Sequence, residues 1–144
     1  MSPVAAVAAE GTKPMPLSPN SFDRTIPPEP VRVAEIRHQA ADRMEGWAVP
    51  ASVVESVTLV LSELVTNAVV HGEGDIHVVM HRQTAGLHLE VSDESATRPV
   101  LKSVHPDALH GRGLFLVRDF CDSWGIKNDG RTTWANFRCT AGRS

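Results

Sequence analysis

The chain is poor in cysteine, in surplus positive charge and in long apolar runs, and each shortage excludes a class of protein. Two cysteines, Cys121 and Cys139, cannot form a disulfide framework and are expected to be reduced core thiols. Fourteen Lys and Arg against 17 Asp and Glu give a net charge of −3, which argues against general nucleic-acid binding. No apolar run approaches the roughly 18 residues of a membrane span, and no signal segment is recognisable. We therefore expect a cytoplasmic protein that binds neither nucleic acid directly nor a membrane.

The chain is organised as one domain with a tail. Its 144 residues are enough for a single domain with a sizeable core, and they contain no internal repeat. Residues 1–21 are rich in Ala, Pro and Ser and lack periodicity, which predicts an N-terminal tail without fixed structure. Residues 22–140 are predicted to form the folded domain.

The most informative stretch is residues 57–72, VTLVLSELVTNAVVHG, whose apolar residues recur every three and four positions as on a helix. Glu63, Asn67 and His71 are spaced by four, so they form one polar ridge beside the apolar face. An amide oxygen can coordinate Mg²⁺ carried by a phosphate ligand, and a carboxylate can orient or deprotonate a nucleophile. The alternative is a polar helix edge with no chemical role.

The remaining elements are predicted from periodicity and turn signals. They comprise an edge strand over Phe22–Ile26, a helix from Glu29 or Pro30 to Gly46, the central helix from Ala51 to His71, a hairpin over 76–92, a helix after Gly111, and two closing strands over 123–127 and 132–138. Helices and strands come in blocks. This order predicts an α+β fold, a two-layer sandwich with helices on one face of a mainly antiparallel sheet.

Four segments together resemble a known superfamily, the GHKL ATPases with the Bergerat nucleotide-binding fold. Glu63–His71 resembles the N-box, and the strand ending in Glu90–Asp93 resembles the first glycine box. Gly111–Val117 resembles the second glycine box, and Gly130–Thr133 the segment that closes the phosphate site. Their order and spacing agree over nearly the whole domain. The segment SELVTNAVVHG is most similar to the corresponding segment of the bacterial anti-sigma-factor serine/threonine kinases.

The resemblance implies an ATP site with Mg²⁺. Asp93 would accept a hydrogen bond from the exocyclic amine of adenine, and Asn67 would hold Mg²⁺ between the phosphates. Thr132 would donate its hydroxyl to a phosphate or, through water, to Asp93, and His71 would either contact phosphate or cap its helix. Glu63 would act as the base toward a substrate serine or a water. The phosphates would lie against the start of a helix formed by Gly111, Arg112, Gly113 and Leu114.

The match departs from the family at the first glycine box. The family usually has Asp-x-Gly-x-Gly, whereas this chain has Ser95 and Thr97 in place of the two glycines. Side chains then stand where bare backbone would approach adenine, so we expect a tighter base pocket and weaker ATP binding. The lid over residues 94–110 carries four side chains that could reach a γ-phosphate, namely Arg98, Lys102, His105 and His110.

Histidines on the predicted hairpin offer a competing site. His77 and His81 share one strand face, and His88 and Glu90 share the outward face of the next strand. Cross-strand neighbours lie about 5 Å apart, so these residues could form a metal site, a homodimer or partner surface, or a solvated face.

The resemblance leads to three alternative functions. The first is an ATP- and Mg²⁺-binding regulatory protein of the anti-sigma-factor serine/threonine kinase type. It would sequester or phosphorylate a partner, either a sigma factor or an anti-sigma-factor antagonist. The second is a non-catalytic nucleotide-binding adaptor that regulates transcription or development by protein contact. The third is an interaction module that has lost ATP.

Overall fold

The computed structural model describes residues 19–95 and 119–139 of the chain. Over these residues, two helices pack on one face of a five-stranded sheet whose neighbouring strands are all antiparallel. The elements in chain order are β1 (Ser21–Ile26), α1 (Val31–Gly46), α2 (Ala51–His71), β2 (Ile76–Gln83), β3 (Gly86–Ser92), β4 (Ser123–Lys127) and β5 (Thr132–Arg138). The spatial order of the strands is β1-β2-β3-β5-β4. The predicted α+β two-layer fold is confirmed.

The element predictions agree with the described structure to within one or two residues. The edge strand, the central helix, the hairpin and the closing strand pair are all present. Strands β4 and β5 are joined at Asn128, Asp129 and Gly130, which all have positive φ. Residues 119 and 120 are helical, but the rest of the helix predicted after Gly111 lies outside the described residues, as does the predicted tail up to residue 18.

Helix α1 ends in a Schellman motif rather than directly at a glycine. The N–H of Ala48 donates to the carbonyl of Glu45, and the N–H of Val49 donates to the carbonyl of Met44. Ala48 adopts the left-handed conformation, with a φ of 59°, that this motif requires at its centre. Val49 follows the helix end and is buried in the core, which anchors the short connection into α2.

Helix α2 is the centre of the core. Its apolar stripe is buried against α1 and the sheet and consists of Val57, Val60, Leu61, Leu64, Val65 and Ala68. Within the described residues, α2 alone has the length and composition of a membrane span, a point that the sequence prediction missed. The burial of its apolar face against the protein itself accounts for that composition, as in the core helix of a globular domain.

The sheet has two chemically different faces, here called inner and outer. The inner face contacts the helices, and its core residues alternate along β2, β3 and β5, including Val78, Leu89 and Ala135. The outer face carries the intervening side chains, among them His88 and Trp134. Because residues two apart share a face, the register decides which polar side chains reach the helix side, where the predicted site lies.

Candidate functional site

The predicted ridge lies along one edge of α2. Glu63 and Asn67 are half-buried, and His71 is exposed at the last turn. With a rise of about 1.5 Å per residue, Asn67 lies about 7.5 Å and Glu63 about 13.5 Å along the axis from Gly72, which follows the helix. The ridge therefore extends away from the C-terminal end of α2 as a line of spaced polar groups.

Asp93 lies at the C-terminal end of α2, so the structure brings it to one end of the ridge. Its carboxylate oxygen Oδ1 accepts the backbone N–H of Ser95 at 2.7 Å, and the carboxylate also accepts the backbone N–H of Glu73. The backbone N–H of Asp93 donates to the carbonyl of Arg131, which ties the end of β3 to the start of β5. Residues 72–74 and 93–95 together with Thr133 are called the Asp93 corner below.

The electrostatic environment of Asp93 disfavours its charge. Burial raises the pKa of the Asp93 carboxyl above its ordinary value, and the two backbone N–H donors only partly oppose this. The neighbouring carboxylates of Glu73 and Glu94 raise the same pKa further. No ion pair to Asp93 occurs within the described residues, so this carboxylate lacks a positive partner there. A hydrogen-bond donor from a ligand would stabilise its charged form.

Ser95, which replaces the first glycine of the family pattern, turns into the protein. The residue is 5% exposed, and its N–H closes a turn on the side chain of Asp93. The expectation that this serine would narrow the base pocket stays a prediction. Thr97, together with the four basic or histidine side chains of the lid, lies outside the described residues.

Two adjacent threonines at the start of β5 have opposite surroundings. Thr132 pairs with Ser92 on the outer face, and its hydroxyl oxygen lies 2.9 Å from both Ser92 Oγ and Asn128 Nδ2. Thr133 pairs with Val91 on the inner face, is 8% exposed, and forms no side-chain hydrogen bond among the described residues. Asp93 follows Val91 by two residues, so it lies on the same, inner side of the sheet. The hydroxyl of Thr133 is therefore presented on the same face as Asp93.

The outer face holds its polar groups in a side-chain network. His88 Nε2 and Lys127 Nζ lie 2.8 Å and 2.7 Å from Glu90 Oε2, and His88 Nδ1 lies 2.6 Å from Asn136 Oδ1. The Trp134 ring stacks on His88. Burial would raise the pKa of Glu90, but the hydrogen bonds and charges of Lys127 and His88 outweigh it and lower that pKa. Glu90 thus has partners that stabilise its charge, whereas Asp93 has no ion-pair partner within the described residues.

The alternative of a metal site on the hairpin gains no support. Among residues 19–95 and 119–139, no group of three or more His, Cys, Asp or Glu side chains is arranged to hold a metal ion. His77 instead lies 2.7 Å from Asp23, and His81 Nδ1 lies 3.1 Å from Ser21 Oγ, both across the β1–β2 pair. The predicted phosphate-binding residues Gly111, Arg112, Gly113 and Leu114 lie outside the described residues.

Comparison with known families identifies the class of the protein. The family described as histidine kinase-like ATPase domain matches residues 26–137. The match includes the ridge, the Asp93 corner and the segment predicted to hold phosphates, and it spans most of the chain. The chain belongs to this family, which confirms the resemblance to the GHKL ATPases and implies nucleotide binding.

A solved structure supports the same fold. The crystal structure of the RsbU and RsbW domains of Rv1364c from Mycobacterium tuberculosis is similar, with a TM-score of 0.63 and 18% sequence identity. The match covers 87% of this chain and 32% of that chain, so this chain spans about a third of its neighbour. At this identity the similarity carries the fold alone. A comparison with curated proteins finds no match.

Sequence reasoning missed three features of the corner. Thr133 could have been found from strand alternation, since Ala135 and Phe137 are apolar and share its parity. The backbone N–H of Glu73 carries no sequence signal, because any residue except proline supplies one. The role of Gly72 as a neighbour of Asp93 depends on a contact between residues 21 positions apart, which periodicity does not reveal.

Proposed function

We propose that this domain binds ATP with Mg²⁺ and works as a regulatory protein of the anti-sigma-factor serine/threonine kinase type. The observation that carries the proposal is the carboxylate of Asp93, half-buried beside α2 with two backbone donors and no cation among the described residues. A carboxylate accepts hydrogen bonds and donates none when ionised. It therefore pairs with the amine of adenine and rejects the carbonyl that guanine offers at that position.

The order of groups along α2 fits an extended nucleotide. With adenine at Asp93, the phosphates lie along the ridge toward Asn67, and the γ-phosphate end lies toward Glu63. The hydroxyl of Thr133 is a better donor to the base than that of Thr132, because the latter is held by Ser92 and Asn128. His71 at the helix end is proposed to contact phosphate or to cap the helix.

The residues present fit a magnesium ion that arrives with the nucleotide. Mg²⁺ in such sites takes one or two protein oxygens and keeps waters and phosphate oxygens as its other ligands. The amide oxygen of Asn67, half-buried on the ridge, is the proposed protein ligand. When bound, the ion neutralises phosphate charge. The backbone of Gly111, Arg112, Gly113 and Leu114 is proposed to donate to the phosphates at a helix start.

Glu63 is the proposed catalytic base. Its carboxylate is half-buried at the far end of the ridge, and no ion pair within the described residues neutralises it. It would orient a serine hydroxyl of a partner, accept its proton, and allow in-line attack on the γ-phosphorus with ADP as the leaving group. The proposed partner is an anti-sigma-factor antagonist as substrate, or a sigma factor that is sequestered.

The direct test is phosphate transfer. The protein is incubated with Mg²⁺ and ATP labelled in the γ-phosphate, together with candidate antagonist proteins, and the partner serine is examined for label. We expect label on the partner with wild type, and a rate of labelling lower by about two to four orders of magnitude with Glu63→Gln. Saturable ATP binding without transfer to any partner and without hydrolysis would contradict the kinase role and favour the non-catalytic adaptor, whereas absence of ATP binding would favour an interaction module.

A further inference from the structure

Two loops interlock beneath the Asp93 carboxylate. The N–H of Glu94 donates to the carbonyl of Glu73 at 2.8 Å, while the N–H of Glu73 donates back to the carboxylate of Asp93. The loop that follows α2 and the turn that follows β3 thus exchange hydrogen bonds in both directions. Three of the four bonding groups belong to the backbone and the fourth is the Asp93 carboxylate, so the fit depends on how closely the two loops approach each other.

Gly72 is the residue of the loop after α2 that lies against the Asp93 carboxylate. A Cβ added to this residue would lie 2.5 Å from Oδ2 of Asp93 and 2.7 Å from its Cγ, too close for real atoms. The backbone of Gly72 has a φ of −89° and a ψ of −168°, which is extended and open to any residue. Glycine is therefore needed here for space, which the Asp93 carboxylate and the carbonyl oxygen of Ala68 occupy, and not for an unusual backbone conformation.

The loop contains a second close approach at Gly74. A Cβ there would lie 2.3 Å from the carboxyl carbon of Glu94, and the φ of Gly74 is +70°. Both glycines before β2 thus face the two consecutive acidic residues after β3. In the family pattern the glycines follow the aspartate, whereas here Ser95 stands in that position and bare backbone comes from the loop after α2.

We infer that Gly72 is a positioning residue for nucleotide specificity: its missing side chain lets the Asp93 carboxylate lie against the end of α2, where the N–H groups of Glu73 and Ser95 orient it toward adenine. This inference rests on the proposed function. A carboxylate offers about four lone-pair sites, and two backbone donors leave capacity for the adenine amine. Displacement of the carboxylate by even a small side chain should weaken adenine recognition without removing the phosphate contacts.

The test is a double-mutant cycle that combines Gly72→Ala with Asp93→Ala. ATP and GTP affinities are measured by calorimetry for wild type, both single variants and the double variant, with folding checked by circular dichroism. If Gly72 acts through Asp93, Gly72→Ala weakens ATP binding about tenfold in the wild-type background and changes it less than about twofold beside Asp93→Ala. The ratio of ATP to GTP affinity falls accordingly in the single variant.

Two glycines supply matched controls. A Cβ at Gly46 meets nothing within 4 Å, so Gly46→Ala should leave both affinities unchanged. A Cβ at Gly86 meets the carbonyl oxygen of Phe137 at 2.9 Å, away from the corner, so Gly86→Ala reports what a general loss of stability does. Gly72→Ala also crowds the carbonyl of Ala68 at 2.6 Å, but that contact is common to both backgrounds of the cycle.

A second pair of variants serves if Gly72→Ala does not fold. Ser95→Ala keeps the N–H that Asp93 Oδ1 accepts, and Ser95→Pro removes it. We expect the proline variant to lose ATP-over-GTP preference relative to the alanine variant. Equal preferences in this pair, or additive effects in the cycle, would overturn the inference while leaving ATP binding intact. Failure of wild type to bind ATP would instead overturn the proposed function.

Discussion

The inner corner at Asp93 and the outer face of the sheet both carry polar side chains, but they satisfy them differently. On the outer face, Glu90 is paired with Lys127 and His88, and its pKa is lowered. At the corner, the donors to Asp93 among residues 19–95 and 119–139 are backbone N–H groups, its neighbours are acidic, and its pKa is raised. Thr133 nearby has a hydroxyl without a hydrogen bond among the described residues.

We interpret this contrast as the difference between a polar network whose members satisfy one another and the proposed ligand site. Burying a charged group without a positive partner is unfavourable. Such a group is typical of functional sites, where interactions with a bound ligand offset the cost of burial. The outer network needs no ligand, because each ionised group already meets its complement. We therefore expect nucleotide binding to respond strongly to changes along the ridge and corner and weakly to changes on the outer face.

The largest effect is expected at Glu63. Glu63→Gln keeps the shape of the side chain and removes the proposed base, so phosphoryl transfer to a partner serine should fall by about two to four orders of magnitude. ATP affinity, measured by calorimetry, should stay within a few-fold of wild type. A variant that transfers phosphate at the wild-type rate would show that Glu63 is not the base.

Asn67 comes next. Asn67→Ala removes the proposed protein ligand of Mg²⁺ and should abolish the difference between ATP affinities measured with Mg²⁺ and with a chelator. Circular dichroism should show the fold retained, since Asn67 is only half-buried at the edge of α2. Unchanged Mg²⁺-dependent affinity in this variant would rule out the metal role on the ridge.

The raised pKa of Asp93 predicts a pH effect of definite sign. Because its folded-state pKa lies above the ordinary value, the free fold gains stability from this group at low pH and loses it as pH rises through that pKa. ATP needs the ionised form, so the rise in melting temperature on adding ATP should shrink as pH falls through the same range. Asp93→Asn should flatten this dependence, and an identical pH profile in the variant would contradict it.

The smallest effect separates the two threonines. Thr133→Val removes a hydroxyl on the inner face and should weaken ATP binding several-fold, as expected for one neutral hydrogen bond worth about 1 kcal/mol. Thr132→Val instead removes the hydrogen bonds to Ser92 and Asn128. Its main effect should therefore be a lower melting temperature rather than weaker ATP binding. If Thr132→Val weakens ATP binding more than Thr133→Val does, the result would support the sequence-based prediction that Thr132 is the hydroxyl donor in the site.

Much of the fold could be predicted from local patterns. The period of 3.6 over α2 and the period of 2 over the hairpin gave bounds that agree with the structure. The end of α1 was harder to predict, because Ala48 takes a left-handed conformation that sequence rules assign to glycine. A close hydrogen-bonded motif overrides that preference here.

The candidate site could be proposed from the sequence as residue types but not as contacts. Glu63, Asn67 and His71 follow from helix spacing, and Asp93 follows from the resemblance. The interlock of Gly72 with Asp93 depends on long-range packing, which no local pattern encodes. The choice between Thr132 and Thr133 required the strand register, since a shift of one residue exchanges the two faces of a strand.

The central claim, that Asp93 reads adenine, is tested most directly by calorimetric titration of ATP into Asp93→Asn and, as a control, Glu90→Gln. Loss of the charged acceptor should weaken ATP binding by about 1.5–3 kcal/mol, while the outer-face variant should bind ATP like wild type. The preference for ATP over GTP should fall in the first variant alone. Unchanged ATP affinity in Asp93→Asn, or an equal loss in Glu90→Gln, would contradict the account.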